Sequence, residues 1–382
     1  MSHTDRTGRA PEGPGEPGEL DELDGLDSAL DVRRLLYGHL VSRALCSVAE
    51  LSVPDLLAEG PRTVGDLARE TGAHEASLRQ LMTALCAFEV FTPQPPDGFG
   101  LARLGRALTT DSPGNALSSA LLAQAAVGRA WSGLPDVVRT GVPAFEREFG
   151  GDFFGFLERN PEVRGVFDRS QSADLDLEIS AVLRAGDFSG ARTVVDVGGG
   201  DGALLARVLR THPGARGVLV DRPAAVTAAR KRMAELGLAE RADVREGDFF
   251  AALPGGGDVY LLREILHDWD DEQCLAILRT CRRAMSAGTG AAGAGGAAPA
   301  GGAEPGPAAR LFVIERAAED GHDTGPDARL TAMMSLYMLS LLPGRERTAA
   351  EFGRLLHAAG LRVTARHRLL GHKVLIEAVA AG

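Results

Sequence analysis

Residues 193–209 read TVVDVGGGDGALLARVL, with four glycines in five positions between a β-branched run and an apolar pattern at helical spacing. Glycine tolerates left-handed backbone and lets other groups approach the main chain closely. A strand that enters a helix through such a turn is typical of the first unit of an α/β ligand-binding domain. The stretch therefore predicts a strand, a ligand-contacting turn and a helix.

The chain after residue 193 continues to alternate between strand-like and helix-like segments. GVLVD, DVYLL and RLFVIER read as further strands, and AAVTAARKRMAEL and CLAILRTCRRAM read as helices between them. This alternation predicts an α/β fold, with a doubly wound parallel sheet and helices on both faces.

The residues before this domain have a mostly helical pattern. Residues 62–101 read as helix, turn, helix and hairpin, with Thr63 as an N-cap, Gly72 as a break and Ser77 opening the second helix. This order predicts a winged-helix module. Its three arginines, Arg62, Arg69 and Arg79, are offset by the acids Asp66, Glu70, Glu75 and Glu89, which favours a structural or dimer-forming role over DNA binding.

The sequence therefore predicts three parts. Residues 1–26 are acidic and rich in proline and glycine, which predicts a disordered tail. Residues 27–185 are predicted to form the winged-helix module and a helical, substrate-lining region, and residues 186–382 the ligand-binding α/β domain. Within the last part, the low-complexity insert at 286–310 is expected to be a disordered surface loop.

Composition narrows the class of protein. Hydrophobic residues make up 45% of the 382 positions, no uncharged window reaches membrane-spanning length, and the acidic amino terminus does not resemble a signal peptide. We therefore expect a cytoplasmic protein without a membrane partner. The formal charge of −11 disfavours a nucleic-acid partner. The four cysteines lie in apolar helical patterns without metal-ligand spacing, so buried thiols are expected and no metal site.

Two ligands match the glycine turn. Gly198, Gly200 and Ala203 satisfy the GxGxxG/A pattern of dinucleotide sites, so NAD has to be considered. Asp196 and Asp201 would repel a pyrophosphate, whereas they would attract a cationic ligand. S-adenosylmethionine carries a sulfonium and an amino group and no phosphate, so the turn favours it over NAD.

Acidic residues at two later strand ends extend this predicted site. Asp221 closes the next strand, at about the separation where an acid binds ribose hydroxyls. Asp248 of EGDFF is expected to accept from an adenine amino group, with Phe249 packing on the ring. The alternative for each carboxylate is a helix cap or a turn. Because open α/β sheets bind ligands at the carboxyl ends of their strands, we expect these residues to share one site.

Six segments carry a family resemblance in a fixed order: VDVGGGDG, VLVDRP, EGDFF, VYLLREILHDWDDEQCLAILRTCRRAM, LFVIE and PGRERTAAEF. Over residues 30–380 the chain resembles the small-molecule O-methyltransferase family of plant phenylpropanoid and bacterial natural-product enzymes. The resemblance implies a class I methyltransferase domain with a Rossmann-like sheet and S-adenosylmethionine as cofactor. It also implies an N-terminal winged-helix domain for dimerisation, and hence a homodimer.

The resemblance further implies roles for individual residues. His267 stands where the family has its general base, which agrees with the titration of histidine near neutral pH. Glu315 and Glu346 match the two glutamates that orient this ring in the family. The cofactor contacts implied by the matching motifs are Arg222, Arg263 and Trp269.

The acceptor side of the site is less constrained. The aromatic cluster in FEREFGGDFFGFLERNPEVRGVF reads either as plain core or as the wall of an apolar pocket. We expect substrate contacts from Phe154, Phe167, Gln171 and Met338. Gln171 stands where the family often has methionine, and Ser335, three positions before Met338, stands where it often has an acid.

These observations predict an S-adenosylmethionine-dependent O-methyltransferase acting on a phenolic or enolic hydroxyl of an aromatic natural-product scaffold, such as a polyketide. The nearest alternative is the same fold performing N-methylation, hydroxylation, decarboxylation or pericyclic chemistry, because a fold does not fix a reaction. A winged-helix regulator that senses S-adenosylmethionine is a remoter alternative, and specific duplex binding would mark it. An NAD oxidoreductase is remoter still, since no hydride-transfer site is recognisable.

Overall fold

The computed structural model describes residues 17–112, 116–172, 175–290, 308–318 and 325–381. The chain forms two compact units, Met1–Gln124 and Ala125–Gly382.

The first unit consists of helices around a small antiparallel sheet. Its helices are α1 (Pro17–Glu50), α2 (Val53–Leu56), α3 (Val64–Thr71), α4 (Glu75–Cys86), α5 (Arg103–Arg106) and α6 (Leu117–Gln124). Its strands are β1 (Arg62–Thr63), β2 (Phe91–Gln94) and β3 (Gly98–Leu101), in the order β1-β3-β2.

Local sequence explains the bounds of the short helices in this unit. The hydroxyl oxygen of Thr63 accepts from the N–H of Asp66, and α3 ends at Gly72, whose φ of 69° is left-handed. The second helix begins at Glu75, two residues before the predicted start at Ser77. The elements follow the predicted order of helix, turn, helix and hairpin.

The long helix α1 has two different halves. Cys46 and Val48 are buried in the core of the first unit, whereas Leu35, Leu36 and Leu40 are more than 60% exposed. An exposed apolar stripe of this kind is characteristic of a surface that another protein covers.

The structure describes only part of the predicted tail and part of the predicted insert. Residues 17–26 belong to α1, against the expectation of disorder. Residues 1–16 lie outside the described residues. Of the insert, 286–290 continue a helix, 308–310 lead into a strand, and 291–307 lie outside the described residues.

The second unit begins with six helices that we expected to belong to the first. They are α7 (Ala126–Trp131), α8 (Leu134–Thr140), α9 (Ala144–Phe149), α10 (Phe153–Arg159), α11 (Pro161–Ser172) and α12 (Leu175–Ala185). The division predicted after residue 185 therefore falls after residue 124 in the structure. Helices α7, α8 and α9 pack against a later helix, Pro326–Leu341, and α12 packs against the helix that follows the glycine turn.

A mixed sheet forms the centre of the second unit. Its strands are β4 (Thr193–Val197), β5 (Arg216–Asp221), β6 (Ala242–Glu246), β7 (Val259–Arg263), β8 (Arg310–Ala318), β10 (Leu361–Arg368) and β11 (Lys373–Ala380). They lie in the order β10-β11-β8-β7-β4-β5-β6, and the short β9 (Arg347–Thr348) pairs with β8. Strands β4 to β8 are parallel, and β11 and β10 are antiparallel.

Helices cover both faces of this sheet, as predicted. They are α13 (Ala203–Thr211), α14 (Pro223–Glu235), α15 (Asp271–Gly290), α16 (Pro326–Leu341) and α17 (Ala349–Ala358). Two separate apolar cores result, one against α13 and α14 and the other against α15 and α17. The strand order reverses between β4 and β7, and the carboxyl ends of these strands are where such a sheet binds its ligand.

No helix among the described residues is long and apolar enough to cross a membrane. Among the same residues, no three His, Cys, Asp or Glu side chains are arranged so that they could hold a metal ion.

Candidate active site

The glycine turn follows β4 as predicted. Gly198, Gly200 and Gly202 have φ values of 66°, 59° and 78°, all in the left-handed region that favours glycine. A Cβ atom on Gly198 would lie 2.5 Å from Cδ1 of Ile265, so the turn is packed directly against the chain beyond β7. The N–H of Gly200 donates to Oδ2 of Asp221 at 2.8 Å.

The two aspartates that flank the glycines have different environments. Asp196 is buried, and its Oδ2 atom has no hydrogen-bond partner among the described residues. Burial raises the pKa of its carboxyl to about 7, and Arg263 opposes this rise. An unpartnered buried carboxylate oxygen beside the turn would be satisfied by a cationic ligand group, which fits S-adenosylmethionine.

Asp201 corrects part of the sequence argument. Its Oδ2 pairs with the Arg232 guanidinium of α14, and its Oδ1 accepts from the N–H of Ala203 at 3.1 Å. The charge of Asp201 is therefore compensated by arginine and the residue holds the turn to α14. Among the described residues, Asp201 has a cationic partner at hydrogen-bond distance and Asp196 has none.

Asp221 ends β5 next to the turn, as predicted. Burial raises the pKa of its carboxyl, whereas the N–H groups of Arg222 and Gly200 lower it by donating to it. The side chain of Arg222 lies 3.6 Å from Oε1 of Glu158 and over the ring of Phe154. Arg222 thus joins the strand end to helix α10, and only its main chain contacts the proposed ribose acid.

The predicted adenine contacts lie together beyond β6. Trp269 meets Phe249 edge-on at 6.1 Å between ring centroids, and it meets Phe250 at 4.8 Å. Asp248 is exposed, and its Oδ1 accepts from the N–H of Phe250 at 2.9 Å. One carboxylate oxygen of Asp248 therefore has the turn role that the sequence left open as the alternative.

His267 lies in a 3₁₀ turn, Leu266–Asp268, that follows β7. Its Nδ1 atom is 3.5 Å from Oε2 of Glu315 and 3.8 Å from Oε1 of Glu346, and its Nε2 atom is 3.3 Å from Oδ1 of Asp268. The structure therefore brings the three predicted catalytic residues together. The sequence argument missed Asp268, although it follows the histidine directly in the HDW motif.

The charge states of this cluster follow from burial. Burial lowers the pKa of His267 to about 4 and raises the pKa of Glu346 to about 7. It also raises the pKa values of Glu315 and Asp268 well above their ordinary values. The imidazole is therefore neutral near pH 7, which is the state that a proton acceptor requires.

Contacts from distant segments fix the main chain around His267. Oε1 of Glu315 accepts from the N–H groups of Ile265 and Leu266 at 3.0 and 2.7 Å. The buried guanidinium of Arg347 donates to the carbonyl oxygens of Leu266 and Trp269 at 2.9 and 2.8 Å. Both sides of the turn are thereby held by side chains from elsewhere in the chain.

The loop before Glu346 also packs on this turn. A Cβ atom on Gly344 would lie 1.8 Å from the carbonyl oxygen of His267, so only glycine permits this approach. The close contact brings Glu346 to the imidazole.

The predicted substrate residues occupy several helices of the second unit. Phe154 of α10 and Phe167 of α11 lie 6.5 Å apart between ring centroids, in a cluster continued by Phe153. Gln171 is exposed near the end of α11, and Met338 is buried in α16. Phe154 lies beside Arg222, the residue that follows Asp221.

Two aromatic residues near the His267 cluster were missed. Trp131 of α7 meets Tyr337 of α16 edge-on at 5.8 Å between ring centroids, and both rings are partly exposed. Burial raises the pKa of the Tyr337 hydroxyl, and the neighbouring Asp268 adds to this rise. Tyr337 directly precedes the predicted Met338 in α16. The helical phase of α16 leaves Tyr337 partly exposed and buries Met338.

The chain is similar in sequence to known proteins. A family model described as an O-methyltransferase domain matches residues 131–362, and one described as an O-methyltransferase dimerisation domain matches residues 33–111. The O-methyltransferase SfmM3 of Streptomyces lavendulae is 42% identical to this chain, over 92% of this chain and 100% of its own length.

Solved structures agree with these matches. The mitomycin 7-O-methyltransferase MmcR is 35% identical with a TM-score of 0.83, over 94% of this chain and 100% of that one. The O-methyltransferase NcsB1 from neocarzinostatin biosynthesis, solved with S-adenosylmethionine and 2-hydroxy-5-methyl naphthoic acid, is 33% identical with a TM-score of 0.75. The comparison with NcsB1 covers 89% of this chain and 96% of that one.

Proposed function

The chain belongs to the O-methyltransferase family, with S-adenosylmethionine as its cofactor, and we propose that it methylates a phenolic or enolic hydroxyl of an aromatic natural product. In this proposal His267 accepts the proton of the hydroxyl, and Glu315 and Glu346 orient the imidazole. The observation that carries the proposal is an imidazole within 3.8 Å of three largely buried carboxyls, those of Asp268, Glu315 and Glu346, at the strand end next to the glycine turn.

The cofactor supplies an electrophilic methyl group on a sulfonium. The glycine turn and Asp221 bind the nucleoside side, and the unpartnered oxygen of Asp196 attracts the cationic end. The edge-on pair of Phe249 and Trp269 provides an apolar surface for the adenine. Arg263 is proposed to tune the charge of Asp196, since it opposes the rise of that pKa.

The proton path begins at Nε2 of His267. A phenol loses its proton as its oxygen attacks, and a neutral imidazole accepts this proton while Nδ1–H points toward Oε2 of Glu315. Nδ1 of His267 and Oε2 of Glu315 each have no hydrogen-bond partner among the described residues, and Oε2 of Glu315 is closer to Nδ1 than Oε1 of Glu346 is. A hydrogen bond from Nδ1–H to Oε2 of Glu315 stabilises the imidazolium as it forms, because its donor is then charged.

Aromatic side chains in two places of the second unit provide surfaces for an aromatic acceptor. We propose that Trp131 and Tyr337 bind it beside the His267 cluster, with Met338 packing behind them. Phe154, Phe167 and the exposed Gln171 then line the part of the pocket toward the cofactor. Flat ring surfaces with few polar groups favour a planar aromatic scaffold.

The first unit is proposed to form a homodimer. Its match to a dimerisation domain and the exposed stripe of Leu35, Leu36 and Leu40 on α1 support this. Within its helix, turn, helix and hairpin segment, Arg62, Arg69 and Arg79 each pair with an acid of the same unit, which leaves little of their charge for a DNA backbone. Leu40→Asp should shift the protein to monomer in ultracentrifugation, and a wild-type monomer would contradict the proposal.

A second reaction is kept as a candidate because two relatives, each 36% identical, carry other names. One is an 8-amino-8-demethylriboflavin N,N-dimethyltransferase and the other is the aclacinomycin 10-hydroxylase RdmB. The purified enzyme should be incubated with S-adenosylmethionine and matched panels of phenols and aromatic amines. Mass spectrometry of one added methyl on phenols supports the proposal. Methylation of amines alone, or addition of oxygen, supports the alternative.

A further inference from the structure

Four charged side chains meet beside the turn that carries His267. Nζ of Lys373 lies 2.7 Å from Oε1 of Glu264 and 2.5 Å from Oε2 of Glu178. Nη1 of Arg263 lies 3.4 Å from the Glu178 carboxylate and 3.5 Å from the Glu264 carboxylate. All four side chains are at most 21% exposed, and the two positive charges balance the two negative ones. Such a cluster is stable only while it is complete, because removing one member leaves a buried charge unpaired.

The main chain at Glu264 is unusual. Its φ of 52° lies in the left-handed region, which a residue with a Cβ atom occupies only where its surroundings enforce it. Glu264 directly follows β7, and its N–H donates to the carbonyl oxygen of Ile314 in the neighbouring strand β8 at 2.9 Å. The conformation of Glu264 therefore sets the direction in which the chain continues to His267.

The charge of Glu264 also acts on the imidazole. Burial would raise the pKa of this carboxyl, but Lys373, His267 and Arg263 lower it to about 2, so it is ionised. Its negative charge raises the pKa of His267, whereas burial and the positive charges of Lys373, Arg316 and Arg263 lower it. The other titratable groups facing the imidazole are the carboxyls of Asp268, Glu315 and Glu346.

We propose that Glu264 and Lys373 are positioning residues for His267. Their ion pair fixes the left-handed turn that carries the imidazole, and it keeps one carboxylate beside the ring whose charge is compensated by lysine. The inference rests on the proposed function in assuming that His267 accepts the proton. Its physical content concerns the imidazole itself, so it can be tested without any methyl transfer.

The sign of the expected effect separates this role from a merely structural one. Lys373→Met removes the positive charge that lies closest to Glu264 and that opposes protonation of the imidazole, so the imidazolium of His267 becomes more stable and its pKa rises. Glu264→Gln removes the carboxylate and leaves the lysine charge, so the pKa of His267 falls. A general loosening of the fold would expose the imidazole and move its pKa toward the ordinary value in both variants.

The test is an NMR titration of the full-length protein, labelled with ¹³C at the histidine ring and free of cofactor. The His267 signal is assigned by its loss in His267→Ala. Lys373→Met should raise the titration midpoint of His267 by about half a pH unit or more. Lys373→Arg should leave it near that of the wild type. Arg310→Met, which breaks a half-exposed pair with Asp187 at the other end of β8, is the matched control and should also leave it unchanged.

Glu264→Gln and the double variant Glu264→Gln/Lys373→Met keep the inference testable if Lys373→Met does not fold. Glu264→Gln should move the His267 midpoint to lower pH, and the double variant should lie between the two single variants. An upward shift in Glu264→Gln, or no shift in Lys373→Met, would overturn the inference. Retained methyl transfer in His267→Ala would instead count against the proposed function, whatever the titration shows.

Discussion

The glycine turn after β4 and the His267 turn after β7 lie at neighbouring strand ends, but they are built in different ways. The glycine turn uses main-chain geometry and one carboxylate, Asp221, from 21 residues away. The His267 turn is held by Glu315 and Arg347, 49 and 81 residues from the Leu266 atoms that they bind. One half of the site is thus specified locally and the other by tertiary packing.

The two halves also differ in charge. At the glycine turn Asp221 accepts a main-chain N–H and Oδ2 of Asp196 has no hydrogen-bond partner among the described residues, and a role in cofactor binding is proposed for both. Around His267, burial raises the pKa values of Glu315, Glu346 and Asp268 and lowers that of the imidazole, so charge is disfavoured throughout this half of the site. This difference predicts that substitutions in the first half change affinity and those in the second half change turnover.

The largest expected effect is that of His267→Ala. Turnover of a phenolic acceptor should fall by about 10² to 10⁴, because the proton acceptor is lost, while calorimetry should give an unchanged Kd for S-adenosylmethionine. Higher pH should partly restore turnover, since solvent then ionises the phenol. Turnover of His267→Ala within a few-fold of wild type would contradict the assignment of catalysis to the His267 half of the site.

Asp221→Ala should show the reverse pattern. The Kd of S-adenosylmethionine should rise by about 10- to 100-fold, because the ribose loses its partner and the N–H of Gly200 loses its acceptor. Asp243→Ala, which breaks an exposed pair with Arg245 on neighbouring β6, is the matched control and should bind as the wild type does. Equal affinity of the Asp221 variant and the control would exclude the ribose role.

Glu346→Gln should change the way in which the free energy of unfolding depends on pH. The folded pKa of Glu346 is about 7, above its ordinary 4.5, so the wild type loses stability as pH rises from about 4.5 to 7. The amide does not titrate. The stability of the variant relative to wild type should therefore increase by roughly 2 to 3 kcal/mol between pH 5 and 7.5. Urea unfolding of the cofactor-free proteins measures this, and a difference independent of pH would contradict it.

Glu315→Gln should have the smallest effect on catalysis. Its carbonyl oxygen can still accept from the N–H groups of Ile265 and Leu266, so the turn survives, while stabilisation of the imidazolium is reduced. We expect turnover to fall by about tenfold, less than in His267→Ala. A loss as large as that of the histidine variant would show that Glu315 itself takes part in proton transfer.

The second unit shows where prediction from sequence stopped. The strand, turn and helix from Thr193 were predicted because glycines, β-branched residues and helical spacing are local signals. The assignment of helices α7–α12 to the first part was wrong in position, because nothing local shows that α16 packs against α7, α8 and α9. Which side chain of a helix faces a distant segment depends on that packing.

The sequence by itself determined the fold class, the glycine turn and the positions of His267, Glu315 and Glu346 in recognisable motifs. Tertiary structure alone decided that Asp201 pairs with Arg232, and that Lys373 reaches a glutamate 195 residues away. The physical reason is the separation along the chain of the residues that determine each property. Backbone geometry follows from neighbouring residues, whereas the charge state of a buried group depends on burial and on partners that strand register brings together, as β8 and β11 do here.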